Sequence, residues 1–99
     1  DIGIDAAAMP AVAAAIRRGR KVTVGDLMRA PDNREIPLSA VPLLLQRREG
    51  KSLLPGDEEA LAMGDRLLLC GRDAARGRLR WTVSDDRVLR YLLRARAGR

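Results

Sequence analysis

VPLLLQRREGKSLLPGDEEALAMGDRLLLCG, residues Val41 to Gly71, is the stretch whose reading decides the fold. It holds two apolar, strand-like runs, Val41–Leu45 and Arg66–Cys70. Between them lie a charged turn (Arg47, Arg48, Glu49, Gly50), a Leu53-Leu54-Pro55 step, an acidic turn (Asp57, Glu58, Glu59) and Met63-Gly64-Asp65. Gly before Asp at the head of an apolar run marks a turn, because Gly reaches positive φ freely and Asp bonds its own backbone. The order is strand, tight turn, short strand, excursion, turn, strand. Arg66–Cys70 is apolar at successive positions, which predicts a central strand covered on both faces.

Working outward, Glu35–Leu45 is apolar but carries Pro37 and Pro42. Proline is confined to strand edges and starts, so the spacing predicts an extended piece near Ile36–Leu38 and a true strand from Val41 or Leu43. Glu49-Gly50 predicts a hairpin turn into a strand at Lys51–Leu54. Asp57–Ala62 has the composition of one helical turn. Lys21–Met28 reads as a short strand entering a turn or a helical turn at Gly25-Asp26, followed by a loop at Ala30–Asn33. Upstream, the Ala-rich stretch to Ile16 predicts a helix with Asp5 as a cap, starting or kinking near Met9-Pro10 and ending at Gly19. Downstream, Asp73–Arg80 begins as a helix capped by Asp73, and Leu79–Val83 has the composition of a short strand. Asp85 or Asp86 caps a last helix, Arg87–Arg96, whose Val88, Leu89, Leu92 and Leu93 share one side. The whole predicts an α+β fold: a small, mostly antiparallel sheet with flanking N- and C-terminal helices in one domain over residues 1–99. Trp81 and Tyr91 are expected to close the C-terminal helix onto the sheet.

Composition excludes more than it assigns. With no His, the common metal sites and His-based triads are absent. Cys70 is alone, so it forms no disulfide within one chain, and it reads as a small buried hydrophobe. Three adjacent acids at 57–59 lack the alternating, Gly-centred layout of a calcium loop. Ser39, Ser52 and Ser84 stand in no motif with a base, so no catalytic residue, metal site or cofactor is expected. No apolar run reaches the roughly 18–20 residues of a bilayer span, so no direct membrane insertion is expected. The chain opens on Asp1, which predicts a fragment of a longer protein.

The formal charge is +6, from 19 basic and 13 acidic residues. Such a balance raises nucleic acid as a partner. Against it, all the basic residues except Lys21 and Lys51 are Arg, they interleave with acids, and Trp81 and Tyr91 are the only aromatics. Duplex DNA binding is therefore expected to be weak and indifferent to sequence.

Leu43–Arg47, Gly50, Leu54-Pro55 and Leu61-x-x-Gly64-Asp65-x-Leu67-x-x-x-Gly71 together resemble the C-terminal TrkA-type domain, also called the RCK C-lobe. Thr23–Leu27 (TVGDL) is similar, more loosely, to that family's opening element, so the resembling core runs over about residues 22–72, with helical extensions at both ends. The resemblance implies a cytosolic, non-enzymatic lobe of a bacterial potassium channel or transporter. It would pair as a homodimer, take a small anionic regulatory ligand such as a nucleotide, and sit behind a Rossmann-type lobe. The Gly-x-Gly-x-x-Gly fingerprint of such a lobe is absent from this chain. The matching ligand positions are Arg47 and the Leu54-Pro55 step, with Arg48 beside them. Strand alternation sends Arg47 and Arg48 to opposite faces, and the family pattern favours Arg47. The competing expectation is a small basic nucleic-acid-binding domain.

Overall fold

The computed structural model describes residues 2–97. The fold is α+β, with a four-stranded antiparallel sheet, a separate two-stranded hairpin and four helices. The quoted stretch forms β4 (Ala40–Arg47), β5 (Gly50–Leu53) and β6 (Arg66–Gly71). With β1 (Ile2–Gly3) they lie in the order β1-β6-β4-β5. β6 is central, as expected, but it is covered on one face only. Leu67 is fully buried while Leu68 is 38 % exposed and Cys70 is exposed, so the expectations of a doubly covered strand and of a buried Cys70 are corrected. The helices all pack against one side of the sheet, and nothing among the described residues covers the other.

Gly71 faces Ala40, then Val41 faces Cys70 and Pro42 faces Leu69, and a bulge at Leu43 resets the register to Leu44 opposite Leu68. The bulge follows the proline, which cannot donate to the ladder. Directly opposed residues share a face. Leu45 and Leu67 therefore point together into the core, and both are fully buried.

α1 (Pro10–Arg17) starts with Pro10 in its first turn, where a missing N–H costs nothing. Asp5 does not cap it: its carboxylate accepts from Ala8 N–H (2.8 Å) in the turn before. α1 ends at Gly19, φ +79°, where Arg20 N–H reaches Ala15 O (3.0 Å) and Gly19 N–H reaches Ile16 O (2.9 Å). This is the Schellman pattern.

Lys21–Met28 is not a strand beyond one bridge at Thr23. At Gly25-Asp26 the helical alternative holds: the segment forms α2 (Val24–Leu27), nucleated by a capping box. Asp26 N–H bonds Thr23 Oγ1 (3.2 Å) and Thr23 N–H bonds Asp26 Oδ2 (2.9 Å). β2 (Arg29–Ala30) pairs with β3 (Asn33–Pro37) in the small hairpin. Residues 79–83 are likewise helical rather than a strand: α3 runs unbroken over Asp73–Ser84 with Arg72 as its N-cap. Ala75, Leu79, Thr82 and Val83 are its buried side, at helical spacing. α4 (Asp86–Ala97) follows directly, with Asp85 Oδ1 accepting from Arg87 N–H at 2.9 Å. Its Leu89, Leu92 and Leu93 are buried, as the periodicity predicts.

Asp26 ties α2 to α4 and to β3. It is fully buried, and two arginines from distant parts of the chain converge on it. Arg96 Nη1, from α4, donates to its Oδ2, and Arg96 Nη2 donates to Lys21 O (3.0 Å). Arg34 Nη1, from β3, lies 2.9 Å from Oδ1, an ion pair off the axis of an aligned hydrogen bond, and donates to Leu92 O (3.2 Å). Arg34 N–H also donates to Tyr91 Oη (3.0 Å). One buried carboxylate thus closes the α2 cap and anchors both β3 and α4.

Candidate functional site

Arg47 and Arg48 stand at the tip of the β4–β5 hairpin, whereas Leu54 and Pro55 follow the far end of β5, past Leu53 opposite Leu44, so the register does not bring the four expected residues together. Arg47 ends β4 opposite Gly50, and Arg48 and Glu49 form the two-residue connection. Arg47 turns to the core side. Its Nη2 donates to Ala60 O (3.0 Å) and lies 3.7 Å from Glu59 Oε1. Ser52 Oγ donates to the same carboxylate (2.8 Å to Oε2). Arg48 is exposed, and no ion pair ties it among the described residues. Arg47 thus belongs to β4, while Arg48 lies in the connection that follows it.

The segment that follows β5, residues 57–62, is not the helical turn its composition suggests. It is a loop whose backbone groups bond α2 instead. Val24 N–H donates to Glu59 O (2.9 Å), Gly25 N–H to Asp57 O (3.0 Å), and Leu61 N–H to Val22 O (2.8 Å). The approach is so close that a Cβ on Gly25 would stand 2.8 Å from Asp57 Cβ and 2.9 Å from its carbonyl oxygen. Only glycine fits there. At the far end of the loop, Asp65 Oδ2 accepts from Ala62 N–H (3.0 Å), so this carboxylate holds the turn that feeds β6.

Leu54 adopts φ +45°, the one non-glycine residue with positive φ among those described. Such a conformation costs an L-residue about 1–2 kcal/mol. It is accompanied by an ordinary backbone bond from Leu54 N–H to Leu43 O (2.9 Å), and it leaves the side chain in solvent while Pro55 is buried. Leu54 continues a larger surface. By register, Leu53, Leu44 and Leu68 stand side by side on the open face of the sheet, and Val41 and Cys70 form the next row. Leu53 is 78 % exposed and Val41 55 %. The sequence signals a buried sheet, and this open apolar face is what it misses.

A second surface lies on the helix layer. Trp81 and Tyr91 do not close α4 onto the sheet: they are 49 % and 40 % exposed. Both line a shallow concavity of about 410 Å³, together with Pro31, Asp32, Asp85 and Arg87. Trp81 Nε1 donates to Asp85 Oδ2 (3.4 Å). The N–H of Arg87 on Asp85 holds that carboxyl below its ordinary value, aided by Trp81, so it stays ionised at neutral pH.

Among the described residues no three His, Cys, Asp or Glu side chains stand close enough to hold a metal ion, and no helix is long and apolar enough to cross a membrane. Comparison with protein-family models, with curated proteins and with solved structures finds no match for this chain.

Proposed function

We propose that the chain is a non-enzymatic regulatory lobe that pairs with a second copy of itself and takes a small anionic ligand at the β4–β5 tip. The observation that carries this reading is the open, apolar outer face of the sheet. Leu44, Leu53 and Leu68 form a contiguous stripe, where monomeric domains scatter such residues singly. The motive for pairing is therefore the sheet, since the apolar sides of the terminal helices are buried. A face of this kind is self-complementary about a two-fold axis, the commonest way identical chains associate.

The ligand would act through Arg47. An anion that takes this guanidinium displaces Glu59 and loosens the loop docked on α2, so binding is coupled to the position of that loop. Arg48, exposed in the connection, is the alternative fork for phosphate or carboxylate oxygens. The resemblance of residues 41–71 to the TrkA-type C-terminal domain supports a cytosolic place beside a potassium channel or transporter and its Rossmann lobe.

Light scattering during size exclusion tests the pairing. A dimer at micromolar concentration is expected, with Leu53→Lys/Leu68→Lys monomeric and still folded. A monomer at every concentration overturns the reading. Thermal-shift titration with nucleotides and cyclic dinucleotides tests the ligand, and stabilisation that survives both Arg47→Lys and Arg48→Lys refutes the site.

A further inference from the structure

The helix layer carries a charge pattern that pairing through the sheet leaves unexplained. Arg87, Arg90 and Arg94 lie along the exposed side of α4, and Tyr91 lies among them. Arg90 also borders the groove between α4 and α1, whose other basic residues are Arg18 and Arg20. Arg87 has only a loose surface pair with Asp85 (3.7 Å), and no acid pairs with the other four among the described residues. Five arginines thus form one continuous basic field, broken only by Asp86 in the groove. The aromatic concavity opens at its end, since Arg87 and Tyr91 border both.

We propose that this face binds single-stranded nucleic acid, with a base seated against Trp81 and Tyr91 and successive phosphates on the arginine row. Three features favour this occupant. First, the two chemistries adjoin: the rings line a concavity that shares Arg87 and Tyr91 with the arginine row. A half-exposed ring stacks any base, and Arg forks grip phosphate oxygens. Second, Asp32 is largely exposed, only loosely paired with Arg78 (3.7 Å), and borders the rings, where its carboxylate can accept from a base amino group. An anionic bilayer pressed onto the same face would meet Asp32 and Asp85 as repelling charges. Third, Arg87 to Arg94 spans about 10 Å along the helix, and Arg18 and Arg20 extend the field. A single nucleotide leaves most of these cations unmet, whereas a strand reaches several. Tyr91 is already held in place, because its hydroxyl accepts from Arg34 N–H.

Trp81 is the only tryptophan, so stacking reports itself. The experiment titrates the chain with an oligodeoxycytidylate of about 12 nucleotides, reading intrinsic fluorescence and, separately, anisotropy of a labelled strand. Saturable quenching is expected, with log K falling against log salt at a slope near −3. Inorganic polyphosphate should displace the strand without quenching. Arg90→Ala/Arg94→Ala should flatten the slope by about 1.4. Trp81→Leu, which alters a half-exposed position and whose folding circular dichroism verifies, should weaken binding about tenfold or more with the slope unchanged. Leu53→Lys/Leu68→Lys should bind as the parent chain does, which separates this site from the pairing face. Equal affinity after Trp81→Leu, equal quenching by polyphosphate, or tighter binding to phosphatidylserine vesicles than to the strand would each overturn the proposal.

Discussion

The two outer faces of this molecule are built on opposite rules. The helix layer hides its leucines and shows arginines: Leu89, Leu92 and Leu93 are buried while Arg87, Arg90 and Arg94 stand in water. The sheet hides Leu45 and Leu67 and shows leucines again on its far side. An amphipathic helix whose polar side is charged needs no further partner for its apolar atoms. A sheet that is apolar on both sides has been half covered. The difference teaches where to look for each kind of partner: an apolar one at the sheet, a polyanionic one at the helices. It also shows how differently the layers are fastened, the sheet by leucine packing and the helices by apolar packing together with one buried carboxylate that ties α2 to α4.

The sharpest way to break that contrast is to remove the carboxylate. Asp26→Ala strands Arg34 and Arg96 without their counter-charge and deletes the α2 cap. Loss of one partner from a buried ion pair typically costs about 3–5 kcal/mol, so urea unfolding should show a loss of that size. A change below about 1 kcal/mol would mean that the helix layer is held by packing alone. Next comes a comparison of neighbours on β6. Leu67→Ala empties a core position and should cost about 2–5 kcal/mol. Leu68→Ala, one residue on and facing out, should cost the monomer under about 1 kcal/mol while weakening self-association. Equal costs would show that both faces of the sheet are covered.

Much of this was readable beforehand, and the failures share a cause. β4, β5, the central place of β6 and the buried stripe of α4 follow from local pattern, because period and turn chemistry are properties of a few adjacent residues. Thr23-x-x-Asp26 was also there to be read as a capping box, which identifies α2 where Val22–Val24 suggests a strand. The loop at 57–62 was not readable. Its backbone groups serve α2, more than thirty residues upstream, and no local pattern reveals that. Nor does composition tell which side of an all-apolar strand stays bare, or that Trp81 and Tyr91 face solvent. Arg47 and Pro55 were expected in one place, but the hairpin register puts them at opposite ends of β5, and the engagement of Arg47 by Glu59 depends on the same distant docking.

Smaller effects sharpen the picture further. Asp65→Ala removes the acceptor for Ala62 N–H at the entry to β6, and should lower stability by about 0.5–2 kcal/mol in thermal unfolding. Unchanged stability would show that Gly64 alone sets the turn. The smallest effect belongs to the surface of the helix layer. Asp85 titrates below its ordinary value of 3.8 because Arg87 N–H bonds the charged form. A depressed folded value means stabilisation that is present above 3.8 and disappears as pH falls through the folded value. Asp85→Asn should therefore melt slightly below the parent chain at neutral pH, with the gap narrowing on acidification below 3.8. A gap that stays constant with pH would assign the effect to helix capping geometry rather than to charge.

The knot at Asp26 also sets a clock. Its partner Arg96 lies 70 residues further along the chain. At roughly 5–20 residues per second, a ribosome delivers that arginine about 4–14 s after the aspartate. Before that interval ends, β4, β5 and β6 have been synthesised and have their ladder partners, while α2 waits with its carboxylate short of one cation. The sheet is thus the part of this molecule that can form during synthesis, and the helix layer is the part that must wait for the last helix.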